Sequence, residues 1–166
     1  MTTQKPLPLL ALAIWATAVL LFHMTLGWVP ILDSANLAFH EAGHPIFGML
    51  WGRLEVYGGT LMQLLMPGVC AYQMYRQKKY TGYHFCLIWF AENLLNVARY
   101  MADARAHVLP LVGGKDPEDA HDWTIILSNW NLLSADVALA NCLRLLAVGL
   151  MGWTLWRAWQ QSQELE

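Results

Sequence analysis

The sequence predicts an all-α membrane protein with four to five transmembrane or re-entrant helices and one polar non-cytoplasmic loop. Apolar residues make up 57% of the 166 residues and charged residues only 13%, whereas a soluble domain needs roughly 25% charged residues to coat its surface. The nine Trp fit such a chain, because indole rings favour the membrane–water interface. We found no alternating strand pattern of useful length.

Five apolar segments carry this prediction within a single membrane domain, residues 1–166. They cover about residues 9–29, 34–52, 56–75, 80–101 and 133–156. About 20 consecutive apolar residues suffice to cross a bilayer as a helix. The charge-free run from Pro6 to Leu32 exceeds the core of a signal peptide, so we expect the first segment to be a retained transmembrane helix.

Basic residues predict the orientation of the chain. Arg76, Lys78 and Lys79 form the densest basic turn, which is expected on the cytoplasmic side. Lys5 and Arg157 favour cytoplasmic termini for the same reason. The net charge of −2 does not indicate a nucleic-acid partner.

Both termini lie on one side only if the number of full spans is even. The segment 34–52 is the exception that we expect, because Pro45 removes a helical donor and three glycines surround it. A re-entrant helix is tolerated where it is buried in protein or lines a cavity. The non-cytoplasmic side would then hold, as neighbours, the start of this segment, the end of the fourth segment and the polar stretch 103–131.

Residues 40–44 read H-E-A-G-H, which is the H-E-x-x-H pattern. On a helix, His40 and His44 share one face and can bind one zinc ion. Glu41 follows the first ligand and can serve as general base toward a water at the metal. The motif therefore indicates a zinc peptidase.

A catalytic zinc needs a third protein ligand. Asp103, at the end of the fourth segment, is the leading candidate, because a carboxylate at that depth is costly unless it is paired or bound to a metal. An ion pair with Arg99 or Arg105 is the alternative role for Asp103. His121 is a second candidate ligand.

Three further polar residues are candidates to support the site. Asp122 either orients an imidazole ligand or, like Asp119, caps a short helix over residues 123–127. Asn93 and Asn96 either position a substrate or join helices through hydrogen bonds.

Glu92 and Arg144 are ionisable residues inside the last two predicted spans. Such groups usually face the protein interior and pair. A Glu92–Arg144 pair is one arrangement that the sequence allows.

A membrane helix bearing H-E-x-x-H in a small hydrophobic chain, followed by a later span with Asn and Asp, resembles the site-2 protease class of intramembrane zinc metalloproteases. The resemblance implies zinc ligands at His40 and His44 and a general base at Glu41. Residues 93–96 and Asp103 match the later motif of the class, N-x-x-P…D-G, loosely, which implies Asp103 as the third ligand.

The chain is also similar to a group of small bacterial membrane proteins that share the order H-E-A-G-H, Y-x-A-D-A-R, L-P-L, G-G and H-D-W. These motifs stand here at residues 40–44, 100–105, 109–111, 113–114 and 121–123. The resemblance implies a shared architecture in the bacterial inner membrane and no established activity.

The sequence thus leads to a membrane-embedded zinc metallopeptidase that cleaves peptide bonds near or within the membrane. Its expected partners are membrane lipids and a peptide or membrane-protein substrate. The main alternative is a non-catalytic accessory subunit of a larger membrane complex that retains the motif for folding. A metal-dependent hydrolase acting on a lipid is a third hypothesis.

Overall fold

Long apolar runs, interrupted by short polar or proline-containing turns, fold into helices throughout the described chain. The computed structural model describes residues 7–112 and 120–163, and these contain no strand. The helices are α1 (Leu7–Thr25), α2 (Leu32–Leu50), α3 (Glu55–Arg76), α4 (Tyr80–Ala102), α5 (Asp122–Asn129) and α6 (Asp136–Gln163). The all-α prediction is confirmed for this part of the chain.

Helix α4 lies at the centre of the bundle. It packs against α1, α3 and α6, while α2 packs mainly against α3. One core cluster joins α1, α4 and α6 through Leu12, Ala16, Val19, Ile88, Ala91, Leu95, Ala147, Met151 and Ala158. A second cluster joins the end of α4 to α5 and the start of α6 through Ala98, Met101, Ala104, Leu127 and Ala140.

These contacts fix the directions of the helices. The Trp15 ring stacks on Phe85, and His23 Nε2 lies 3.2 Å from Glu92 Oε1. Residue numbers increase in the same direction along both helices, so α1 runs parallel to α4. The beginning of α6 packs against the end of α4, so these two helices are antiparallel. The start of α1, the basic turn at residues 76–79 and the end of α6 therefore lie at one end of the bundle, and α5 lies at the other.

Helices α2 and α3 approach closely at two glycines. A Cβ atom on Gly43 would overlap the backbone carbonyl of Gly58, and a Cβ on Gly58 would overlap that of Gly43. Small residues at such a crossing let two backbones come together. Helix α2 also continues through Pro45. Because of this proline, the sequence predicted that the segment is re-entrant or tilted.

Two helical stretches in the described chain, Pro8–Thr25 and Leu133–Gln163, are long and apolar enough to cross a membrane. In an apolar 18-residue window of each stretch, only 17% of the residues are buried within the protein. The first stretch lies near the N-terminus, and a signal sequence there would satisfy the same criteria of length and hydropathy. Helices α2, α3 and α4 fall short of this standard, so length and hydropathy support two spans rather than the expected four to five.

The pairing of Glu92 with Arg144, which the sequence allowed, does not occur. Glu92 is fully buried and contacts His23 and Asn36. Arg144 instead donates to Asn141, one turn earlier on α6. The reason is geometric, because the buried face of α4 at Glu92 is directed toward α1 and α2.

Replacing Gly43 with Ala should destabilise the protein by about 1–3 kcal/mol, the usual cost of overpacking. The added methyl group has to displace the α3 backbone. The matched control is Gly149→Ala on the exposed face of α6, where nothing lies within 4 Å of the new Cβ. Thermal unfolding followed by circular dichroism should show a lower Tm for Gly43→Ala and an equal or higher Tm for Gly149→Ala.

Candidate metal centre

One face of α2 carries the polar residues that the bundle buries. Asp33, Asn36, His40 and Gly43 are buried, at the three- and four-residue spacing that lines up on a helix. His44 continues this face and is half-buried. The rings of His40 and His44 lie 5.0 Å apart between centroids, as their i, i+4 spacing predicts.

The carboxylate that meets both imidazoles belongs to Asp122. Its Oδ2 atom lies 3.0 Å from His40 Nε2 and 3.4 Å from His44 Nε2. One ligand atom from each of these three residues lies within 4.8 Å of the other two. The fold therefore brings two nitrogen ligands and one oxygen ligand together from α2 and α5.

The other ring nitrogen of each histidine is held by a carbonyl oxygen. His40 Nδ1 lies 3.3 Å from the side-chain oxygen of Gln63, and His44 Nδ1 lies 2.8 Å from the backbone oxygen of Glu55. Carbonyl oxygens only accept hydrogen bonds, so both Nδ1 atoms carry the proton in the neutral rings. A cation held between these rings and Asp122 would therefore meet both Nε2 lone pairs, which is the arrangement of metal-binding histidines. Without a cation, the Nε2–H of a protonated ring donates to the Asp122 carboxylate instead.

Gln63 is a member of the site that the sequence did not indicate. It is almost fully buried in α3, and its amide nitrogen donates to Asn96 Oδ1 in α4 at 3.0 Å. This hydrogen bond sets the amide so that its oxygen faces His40. Gly59, one helical turn before Gln63, leaves room for the His40 ring, because a Cβ there would lie 2.5 Å from His40 Nε2. The feature of the sequence that could have indicated Gln63 is its position inside the charge-free segment 56–75.

Asp122 occupies its position because α5 begins there. The backbone N–H of Asp122 donates to the Tyr100 hydroxyl oxygen. Burial by itself would raise the pKa of the Asp122 carboxyl, but the hydrogen bonds with His40 and His44 outweigh burial and lower the pKa below its usual value. The carboxylate is therefore ionised near neutral pH and available to a cation.

The structure places Asp103 away from this group. Its carboxylate accepts hydrogen bonds from the backbone N–H groups of Val108 and Leu109, so it organises the turn that follows α4. Neither predicted ion pair forms in the described chain. Arg99 donates to the backbone oxygen of Gly27, and Arg105 pairs with Asp136 at the start of α6.

His121 is fully buried but also turns away from the two motif histidines. Its Nδ1 atom accepts from the backbone N–H of Thr124 and so caps α5. Its Nε2 atom lies 3.6 Å from Asp103 Oδ2. Burial lowers the pKa of the His121 imidazole. His121 thus supports the helix that presents Asp122, whereas Asp119 lies outside the described residues.

The two predicted asparagines have different surroundings. Asn96 contacts the site through Gln63. Asn93 is buried beside Asn36, Trp89 and Glu92, about one helical turn before Asn96. Its contacts join helices α2 and α4, which was the alternative role considered for it.

Glu41 lies beside the three converging residues and is exposed. Two cavities, of about 360 and 730 Å³, meet at the motif, and both are lined by His40, Glu41 and Tyr100. The smaller cavity is mainly apolar and extends toward Trp28, and the larger extends past Asp122. A ligand in either cavity can therefore reach Glu41.

Two neutral imidazoles and one carboxylate form a donor set that suits zinc in a catalytic site. No protein-family model, curated protein or solved structure matches the chain. The arrangement of His40, His44 and Asp122 is therefore what identifies a candidate metal site.

Zinc binding should separate Asp122 from Asp103. We expect Asp122→Asn to lose one zinc ion per chain relative to the wild type, because an amide is a poor zinc ligand, and Asp103→Asn to lose none. Elemental analysis of purified protein after zinc loading and gel filtration measures this difference. Loss of zinc in Asp103→Asn alone would contradict the assignment of Asp122.

Replacing Gln63 with Leu should weaken zinc binding at this site by about 10–100-fold, the usual effect of removing a group that orients a ligand. The leucine keeps a similar volume but removes the acceptor for His40 Nδ1. The same substitution at the exposed Gln73 in α3 is the matched control. Competition with a calibrated zinc chelator measures the affinity, and equal affinities of the two variants would contradict the role of Gln63.

Proposed function

We propose that the protein is a membrane-embedded zinc metallopeptidase. The observation that carries this proposal is the convergence of the His40 and His44 Nε2 atoms on the Asp122 carboxylate, with Glu41 next to them at the junction of two cavities. Asp122 takes the place that the sequence assigned to Asp103.

In this proposal, His40, His44 and Asp122 hold the zinc ion. Zinc, when bound, supplies a Lewis acid that acidifies water and polarises a carbonyl group. Glu41 accepts a proton from the attacking water and returns it to the leaving amine. The Gln63 and Glu55 carbonyl oxygens keep the two imidazoles in the tautomer and orientation that binding requires.

The two cavities support a peptide substrate that lies across the motif. The smaller, mainly apolar cavity suits a hydrophobic side chain, and the larger offers Arg53, Glu55 and Asn129 to polar groups. Tyr100 lines both cavities, and its hydroxyl oxygen already accepts from the backbone of Asp122. The geometry thus favours peptides with an apolar residue on one side of the cleaved bond.

The outer surface of the bundle supports a location in the membrane. Large apolar side chains are exposed along both stretches that can cross a bilayer, including Ile14, Leu21, Leu145, Leu146 and Trp153. Contiguous apolar surface of this kind marks a membrane or protein contact. We propose that α1, α3, α4 and α6 span a bacterial inner membrane and that α2 is re-entrant, with both termini and the basic turn on the cytoplasmic side.

A non-catalytic accessory subunit is the second candidate. Protonated imidazoles at His40 and His44 would bind the Asp122 carboxylate at the observed distances without any metal. The site would then hold α5 against α2 and serve folding or assembly only. Metal content and turnover distinguish this role from the peptidase.

Replacing Glu41 with Gln should lower peptide hydrolysis by about 10²–10⁴-fold, the usual contribution of a general base, without loss of zinc. Purified protein in liposomes, loaded with zinc, would be assayed against a quenched-fluorescence library of apolar peptides. Lys79→Gln, which removes an exposed charge at the opposite end of the bundle, is the control and should keep its activity. Equal rates for the wild type and Glu41→Gln would contradict the proposed role of Glu41.

The two ends of the bundle should be labelled from opposite sides of the membrane. In a cysteine-free background, Lys78→Cys in the basic turn should react with an impermeant thiol reagent only from the cytoplasmic side. Ala106→Cys, in the turn after α4, should react only from the other side. Labelling of both positions from the same side would contradict the proposed topology.

A further inference from the structure

A second group of metal-type ligands lies in the interior, away from the motif. His23 of α1, Asp33 of α2 and Glu92 of α4 each offer one ligand atom within 4.8 Å of the other two. Asp33 and Glu92 are fully buried, and the His23 side chain is only 10% exposed. Three helices, α1, α2 and α4, thus direct ionisable side chains to one point.

The His23 imidazole, whose Nε2 atom lies 3.2 Å from Glu92 Oε1, is the one basic side chain paired with these two acids among the described residues. Asp33 accepts from the backbone N–H of Val29, and both acids accept from the Asn36 amide. These donors are neutral, and no Lys or Arg forms a salt bridge with either acid in residues 7–112 and 120–163. Two desolvated carboxylates need a counter-charge or a proton shared between them, and one divalent cation supplies the counter-charge in full.

Asn93 lies beside the same carboxylates and leaves one of its polar atoms without a partner in the described chain. The side chain is fully buried, and its amide nitrogen donates to Glu92 Oε2 and Asn36 Oδ1, both at 3.3 Å. Its amide oxygen has no hydrogen-bond partner in the described chain. A buried acceptor without a donor is costly, so the polar groups around these carboxylates are incompletely satisfied.

This group is distinct from the motif site. Asp33 and His40 are seven residues apart on one face of α2, which corresponds to about 10 Å along a helix. That exceeds the separation of about 3.5–4 Å in two-metal catalytic centres. The cavity of about 360 Å³ is lined by Asp33 as well as by His40 and Glu41, so a cation that enters the motif site can also reach the interior group.

We propose that His23, Asp33 and Glu92 form a second site for a divalent transition-metal ion, beside the buried Asn93 amide. One nitrogen and several oxygens suit zinc, manganese, iron or cobalt. The ion joins α1 and α2 to the central helix α4. His23 lies in one of the two helices that can cross a membrane, where ionisable groups are rare and usually functional.

Metal stoichiometry tests this site directly. The full chain, purified in detergent and stripped with a chelator, would be titrated with Co²⁺, and the bound ion counted by elemental analysis and by the visible absorption of Co²⁺. We expect two ions per wild-type chain. Glu92→Gln should lose one ion and keep the motif site, whereas His44→Ala should lose the other and keep the interior site.

Asp136→Asn is the matched control, because Asp136 is equally buried but is paired with Arg105, and it should bind two ions. A single ion that is lost in Glu92→Gln but retained in His44→Ala would support the interior site and contradict the motif site. A single ion with the opposite sensitivity would overturn the interior site, and the two carboxylates would then share a proton. The wild-type count does not depend on the folding of any variant.

Discussion

The approach of α2 to α3 at Gly43 and Gly58 is the contact on which the rest of the site depends. Without side chains at this crossing, the two backbones come close enough for His40 to reach Gln63. The same approach brings the Glu55 carbonyl to His44. Two glycines thus place each motif histidine against a carbonyl oxygen that fixes its proton, and both imidazoles point toward α5.

The second constraint is the burial of carboxylates in a bundle with few charges. Asp33, Glu92 and Asp122 are held almost entirely out of solvent, where an ionised group needs opposite charge or hydrogen bonds. Asp122 meets two histidines, whereas Asp33 and Glu92 share one histidine and several amides. Both groups use the buried face of α2, so this one helix carries the chemistry at two depths of the fold.

Much of the helical architecture could be predicted from the sequence, because apolar runs of that length have few alternatives to helices. Helix α4 ends one residue beyond the predicted boundary, and α2 begins two residues before its predicted start. The membrane-crossing count was less predictable, because α2, α3 and α4 carry interior polar residues that lower their hydropathy. Those residues, Gln63 among them, form hydrogen bonds with one another inside the bundle and not with groups outside it.

The motif spacing by itself determined that His40 and His44 share a face with Glu41 beside them, since one turn of helix fixes that geometry. Only the tertiary structure decided which carboxylate meets them. Asp103 and Asp122 are both buried acids near the end of the bundle, and sequence spacing does not distinguish them. Two backbone N–H groups of the turn after α4 bind Asp103, while the start of α5 directs Asp122 at the imidazoles. That choice depends on contacts between residues about 80 positions apart, which no local pattern encodes.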